Sequence, residues 1–280
     1  MRNPAVYYRP HSVAEVISLL SQPHVDAVLL SGGTLRLATT ADPDYEAVID
    51  LQAVEGLDAI YRAEDGAIFL GACATLQTVA VHHVTPPLLR QVLTRSLSWN
   101  RRNGITVGEA VEFCDALPEW TAALLAFGAE VIFSATEERR IPLAQVAQTP
   151  EQPRLPRKGL STGIWLAPPA PLRVWGEAHV ARTPADEAIV SVAAVLDVTD
   201  GVVRQGRLAL CGVWADSTAR LAEAASAHLA GGALDEGRIA GALAVLDQEI
   251  APVSDYRGSA EYRRAMAGVL ARRALNQCRE

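Results

Sequence analysis

The chain has 280 residues, half of them hydrophobic, and a formal net charge of −7. It is long enough to bury a sizeable core and suggests two domains more than one. Acidity without a basic block excludes nucleic acid as the natural partner, and no apolar leader or membrane-length run is visible. Lys158 is the only lysine; arginine carries the rest of the positive charge. Cys73, Cys114, Cys211 and Cys278 stand far apart, which gives no zinc or iron–sulfur spacing and fits a reducing, cytoplasmic setting.

Ser12-Val13-Ala14-Glu15 reads as a capping box that opens a helix, with Val13, Val16, Ile17 and Leu20 on one face and Pro23 closing it. Val28-Leu29-Leu30 then reads as a buried strand running into Ser31-Gly32-Gly33-Thr34. Two adjacent glycines let N–H groups converge on an anion, although a plain strand-ending turn has the same sequence. Asp42-Pro43-Asp44 is a turn, and Ala47 to Leu51 is a second short strand. Leu57 to Tyr61 and Ala67 to Leu70 pair across Glu64-Asp65-Gly66, and Gly71-Ala72-Cys73-Ala74-Thr75 is a further strand-ending loop in which Thr75 caps the next helix.

Thr85-Pro86-Pro87 starts another helix, whose inner face is Leu89, Val92 and Leu93. Asn100 to Gly108 reads as a polar loop, Pro118 to Phe127 as a helix and Ala129 to Phe133 as a strand. From Gln148 to Lys158 three prolines among polar residues mark an exposed loop near a domain boundary, reinforced by Pro168, Pro169 and Pro171. Beyond it the pattern changes. Ala188 to Val198 and Val202 to Val213 flank Asp200-Gly201, a hairpin signal, with Arg173 to Val180 as a third antiparallel strand. Three helices follow, capped by Ser217 (carrying Leu221 and Leu229), Asp235 and Ser259. His82-His83 reads as solvated surface, Asp186-Glu187 as structural, and the five tryptophans as mostly core or interface. No Gly-x-Gly-x-x-Gly, P-loop or Gly-x-Ser-x-Gly occurs.

Several of these pieces occur in one order. They are Tyr8-Arg9-Pro10, Gly32-Gly33-Thr34, Gly71-Ala72 with Thr75, Arg102-Asn103, Thr106-Val107-Gly108, Pro142-Leu143, Ala188-Ile189-Val190-Ser191-Val192-Ala193 and Asp255-Tyr256-Arg257-Gly258-Ser259 running on to Arg263-Arg264. Together they resemble the FAD-binding medium subunit of molybdenum hydroxylases, such as xanthine dehydrogenases and aerobic carbon monoxide dehydrogenases. The resemblance spans essentially the whole chain and is most specific at the C-terminal segment. It implies an α+β fold. An FAD-binding domain of the vanillyl-alcohol-oxidase type would span 1–168, in subdomains of about 1–53 and 54–168. A C-terminal domain of three antiparallel strands plus helices would span 172–280.

The resemblance also implies a function, the transfer of electrons from [2Fe–2S] clusters through FAD to an acceptor. The partners would be a molybdopterin-binding large subunit and a [2Fe–2S] small subunit in a hetero-oligomer. No side chain would act as an acid–base catalyst. The FAD-binding positions carried over are Ser31, Gly32, Gly33, Thr34 and Leu35 in one loop, and Asn103, Thr106, Val107 and Gly108 in another. Gly71, Ala72 and Thr75 would border the flavin, with Glu119 at the position of an acidic residue.

The second loop departs from the family pattern. Ile105 replaces a glycine, Glu109-Ala110 replaces Gly-Asn, and an aromatic segment after Pro142-Leu143 is missing. A carboxylate about 4 Å from a phosphate costs roughly 4 kcal/mol at a near-surface dielectric. Glu109 turned to solvent or paired with Arg101 or Arg102 would lift that penalty. The departures leave a second reading open, a flavin-free assembly subunit that keeps the fold.

Overall fold

The computed structural model describes residues 6–22, 26–35, 46–148, 154–156, 158–168, 172–183, 186–216 and 218–279. The turn expected at Asp42-Pro43-Asp44, the helix stop at Pro23 and the cap at Ser217 lie outside them. The chain divides into two compact units, one of residues 1–85, 97–116 and 130–166, the other of 86–96, 117–129 and 167–280.

The first unit holds two sheets. In one, β1 (Val6–Tyr8), β3 (Ala47–Asp50) and β2 (Ala27–Leu30) run parallel in the order β1-β3-β2, with Val28 opposite Val48 and Tyr8 opposite Ile49. Helix α1 (Val13–Leu20) is capped by the Ser12 hydroxyl, which accepts from the Glu15 N–H, while the Glu15 carboxylate accepts from the His11 N–H at 2.7 Å. Its Val16 packs with Ile49, Leu51, Val54 and Leu57 into a small core.

The other sheet is antiparallel, in the order β4 (Ile60–Arg62), β5 (Ile68–Gly71), β8 (Leu160–Leu166), β6 (Glu130–Ser134) and β7 (Glu138–Pro142). Short helices α2 (Leu76–Val81), α4 (Trp99–Gly104), α5 (Val107–Glu112) and α7 (Leu143–Gln148) complete the unit. Thr75 caps α2 as expected. The stretch 99–112 is two helices and not a polar loop. Each is a six-residue helix opened by its own hydroxyl cap, Ser98 and Thr106, too short to show a helical period in sequence. Arg154 and Leu155, expected in an exposed loop, are buried. The Arg154 guanidinium donates to the carbonyls of Val146 and Ala147 at 3.3 and 3.1 Å and pairs with Asp115.

The second unit is a four-stranded antiparallel sheet, β12 (Arg220–Leu221), β11 (Val202–Cys211), β10 (Val190–Thr199) and β9 (Leu172–Val180). Three of these strands are those expected; Leu221 belongs to the fourth and not to a helix. The hairpin turns at Asp200 and Gly201, both with positive φ (54° and 73°), the conformation a two-residue turn needs to follow strand twist. Helices α3 (Pro87–Ser96), α6 (Pro118–Phe127), α8 (Glu223–Leu229), α9 (Glu236–Glu249) and α10 (Ala260–Gln277) pack in the same unit.

All ten residues of α6 are buried, Glu119 and Thr121 among them. Pro118 opens it and Gly128, left-handed at φ 66°, ends it. Strand β10 is buried from Val190 to Asp197 because helices cover both of its faces, α10 on one side and α6 on the other. Asp235 and Ser259 cap α9 and α10. The α+β class expected from the sequence is the class observed.

Candidate functional site: a two-loop anion cradle

Three loops of the first unit meet. The Ser31 and Thr106 hydroxyls lie 2.8 Å apart, and the Thr34 hydroxyl donates to the Gly104 carbonyl at 2.6 Å. The Gly108 and Val107 N–H groups donate to the Ala72 and Ala74 carbonyls at 2.8 and 2.9 Å. Thr75 and Thr106 form an isolated antiparallel bridge. Ser31–Leu35, Gly71–Thr75 and Thr106–Gly108 are thus brought together.

Gly32 has no room for a side chain. A Cβ there would stand 3.0 Å from the Gly104 carbonyl oxygen and 3.1 Å from the Thr106 methyl. Gly33 has φ 86°, a conformation glycine adopts without strain. At Gly108 a Cβ would press on Ala72.

Two carried-over positions take no part in these contacts. The Asn103 amide turns back and donates to the Trp99 carbonyl at 2.8 Å on its own helix. Glu119 belongs to the second unit. There it receives Arg95 at 2.5 Å and the Ala188 N–H at 3.2 Å. Arg95 also reaches Glu177 at 3.2 Å, and Gln91 donates to Glu177 at 2.8 Å. Burial alone would push the Glu177 carboxyl up; the His179 hydrogen bond, Arg95 and Gln91 together hold it below the ordinary glutamate value of 4.5. This is a buried ion-pair network that ties α3, α6 and β9 to one another.

The residue at the centre of this meeting point is Glu109, the position at which the sequence puts a carboxylate where the family pattern has a glycine; it is buried there and not turned to solvent. It is the third residue of α5, and with Thr106 it forms a full capping box. One carboxylate oxygen accepts from the Leu35 N–H at 3.2 Å, the other from the Thr106 N–H at 3.4 Å. The side chain is 6% exposed. A Cβ on Gly32 would come within 2.6 Å of its Oε2. The pattern Thr106-x-x-Glu109 is the sequence signal for its direction.

Asp115, the other acid near this loop, is matched by Arg154. Burial pushes the neighbouring Cys114 thiol up to about 11, so it is no nucleophile at neutral pH. Cys73 likewise stands at about 12 through burial. Among the described residues no group of three or more His, Cys, Asp or Glu side chains could hold a metal, and no helix is long and apolar enough to cross a membrane.

The C-terminal motif is architectural. Arg263, 1% exposed, donates to the Ile189 and Gly212 carbonyls at 2.7 Å each and to Asp255 at 2.6 Å. Asp255 in turn accepts from the Arg257 and Gly258 N–H groups at 2.8 and 3.1 Å, and Arg257 pairs with Glu187 at 3.1 Å. The segment Asp255–Arg263 therefore pins α10 to the sheet.

The glycine-bearing loop Ser31–Leu35 meets Thr106–Gly108, and the N–H groups of Leu35 and Thr106 converge on one carboxylate, an arrangement of donors that suits an anion. Residues 2–166 match the family model described as the FAD binding domain in molybdopterin dehydrogenase, and residues 178–278 match the CO dehydrogenase flavoprotein C-terminal domain. The chain belongs to the family of FAD-binding medium subunits of molybdenum hydroxylases.

Among its relatives, the nicotine 6-hydroxylase medium subunit of Paenarthrobacter nicotinovorans is 28% identical over 98% of both chains. The carbon monoxide dehydrogenase medium chain of Afipia carboxidovorans is 28% identical over 98% of this chain and 96% of that one. YgfM of Escherichia coli, an uncharacterized protein, is 29% identical over 98% and 96%. Among solved structures, the carbon monoxide dehydrogenase of Hydrogenophaga pseudoflava superposes with a TM-score of 0.85 at 26% identity, covering 99% of this chain and 98% of that one. Quinoline 2-oxidoreductase from Pseudomonas putida 86 gives 0.82 at 25% identity, with the same coverage.

The loops Ser31–Leu35, Gly71–Thr75 and Thr106–Gly108 all lie within the part of the chain that matches the FAD-binding domain. The Glu109 carboxylate already holds the N–H donors of Leu35 and Thr106, the groups a phosphate oxygen would accept from.

Proposed function

We propose that this chain is the FAD-binding electron-transfer subunit of a cytoplasmic molybdenum hydroxylase. It would assemble with a molybdopterin-binding large subunit and a [2Fe–2S] small subunit. FAD bound there would supply the relay of electrons from the partner's iron–sulfur clusters to an acceptor. The chain's own part is to bind and orient. Gly32, Gly33, Thr34 and Leu35 offer backbone N–H groups, Ser31 and Thr106 offer hydroxyls, and Gly71, Ala72, Thr75, Val107 and Gly108 keep the neighbouring backbone close. The observation that carries this reading is the convergence of the Ser31–Leu35 and Thr106–Gly108 loops, joined by the 2.8 Å contact of Ser31 with Thr106. The proposed division of the chain remains a cofactor domain over 1–168 and a C-terminal domain over 172–280.

One observation favours a second reading, a flavin-free subunit retained for assembly. The Glu109 carboxylate already satisfies the loop donors of Leu35 and Thr106. The chain isolated from its native cells with whatever it binds tests the complex itself. Molybdenum and iron in fixed ratio to this chain are the expected result, and a chain isolated without either metal would overturn both readings.

A further inference from the structure

We propose that Glu109 is an internal stand-in for the cofactor's phosphate: its carboxylate occupies the anion position of the cradle in the flavin-free chain, and FAD enters only by expelling it. The inference rests on the reading of these two loops as the family's dinucleotide site.

A loop that converges N–H groups leaves them orphaned when no anion is bound, and a buried unmet donor is destabilising. Here Oε1 accepts from Leu35 in the first loop while Oε2 accepts from Thr106 in the second, so one carboxylate bridges both. It is presented by the N-terminal turn of α5, where the capping box fixes its direction. It abuts Gly32 closely enough that a Cβ there would meet Oε2 at 2.6 Å. At 6% exposure, the residue is held inside the closed loops.

A carboxylate and a phosphate ask for the same donors, and both are negative. They exclude each other by space and by charge. The flavin-free chain is therefore folded and closed at this point. Its affinity for FAD is lowered by the work of moving Glu109, and the donors are left in place for the phosphate that replaces it.

FAD titrations of the full chain, followed by flavin fluorescence, test this in the wild type, Glu109→Ala and Glu109→Gln. Riboflavin, which lacks phosphate, is the control ligand. The expected result is FAD binding about a hundredfold tighter in Glu109→Ala, with a smaller gain in Glu109→Gln and riboflavin binding unchanged in both. Inorganic pyrophosphate should displace FAD from Glu109→Ala. Should Glu109→Ala fail to fold for loss of its cap, Glu109→Gln decides, because its amide oxygen still accepts from the loop without the charge. Equal FAD affinity in all three proteins overturns the inference and leaves the flavoprotein reading standing. No FAD binding by any of them overturns both. Equal tightening for riboflavin and FAD also overturns it, since that would be a loosened fold and not a removed anion.

Discussion

Arg95 illustrates how much of this chain's charge is structural. Its guanidinium is the shared partner of Glu119 and Glu177, whose side chains are 4% and 5% exposed. Replacing Arg95 by Met strands two buried carboxylates, and the expected loss is about 3–5 kcal/mol of unfolding free energy, read from denaturant melts. Asp255 gives a pH-dependent counterpart. Burial pushes its carboxyl up, but Arg263, Arg257 and the Gly258 N–H outweigh that and hold it well below the ordinary aspartate range. A carboxyl depressed by folding stabilises at pH values above its unfolded pKa of about 4 and loses that contribution as pH falls through the folded value. Asp255→Asn should therefore lower the Tm at pH 7, and the gap to wild type should narrow progressively below about pH 4. A gap independent of pH would show that the charge contributes nothing.

At this scale sequence reading named three loops that the structure brings together and named Glu109 as the acid that departs from their pattern. Glu109 was legible as a departure from a glycine-rich pattern, and its direction was legible only through Thr106-x-x-Glu109, a local cap signal. Its burial against Gly32 is a tertiary fact. Glu119 shows the reverse. Its position in the chain suggested the cofactor, while its partners, Arg95 and the Ala188 N–H, come from distant segments that no local pattern connects to it.

Elements with strong punctuation were readable. The Asp200-Gly201 hairpin, the Ser12, Thr75, Asp235 and Ser259 caps, and the Pro118 to Gly128 helix follow from turn and cap chemistry alone. The helices of 99–112 were not, because six residues hold fewer than two turns. The two-residue strand β12 has no period at all.

Packing between elements was likewise hidden. Gly176 in β9 lies directly beneath the Ala274 carbonyl of α10, and a Cβ there would collide with that backbone. Gly176→Ala should cost about 2–3 kcal/mol, because the helix must lift from the strand and nothing flexible can yield. A Tm within a degree of wild type would mean that α10 does not bear on β9 as described.

At the scale of the whole molecule, two family models cover residues 2–166 and 178–278, and relatives align over nearly their full lengths. The chain therefore matches the medium-subunit family over nearly its whole length. Its architecture is kept through the Asp255–Arg263 clasp and the helix-covered sheet, while the cofactor loops hold a carboxylate where the family's pattern has a glycine. The frame and the occupant are separable features of one molecule, which is why substitution at one residue is expected to change flavin affinity without changing the fold.

The most direct measurement is the flavin content of the complex isolated from its native cells in buffers supplemented with FAD, then freed of excess ligand and read by visible absorption. The account predicts flavin bands amounting to about one FAD for each copy of this chain. A complex that carries molybdenum and iron but shows no flavin absorption under those conditions would contradict it.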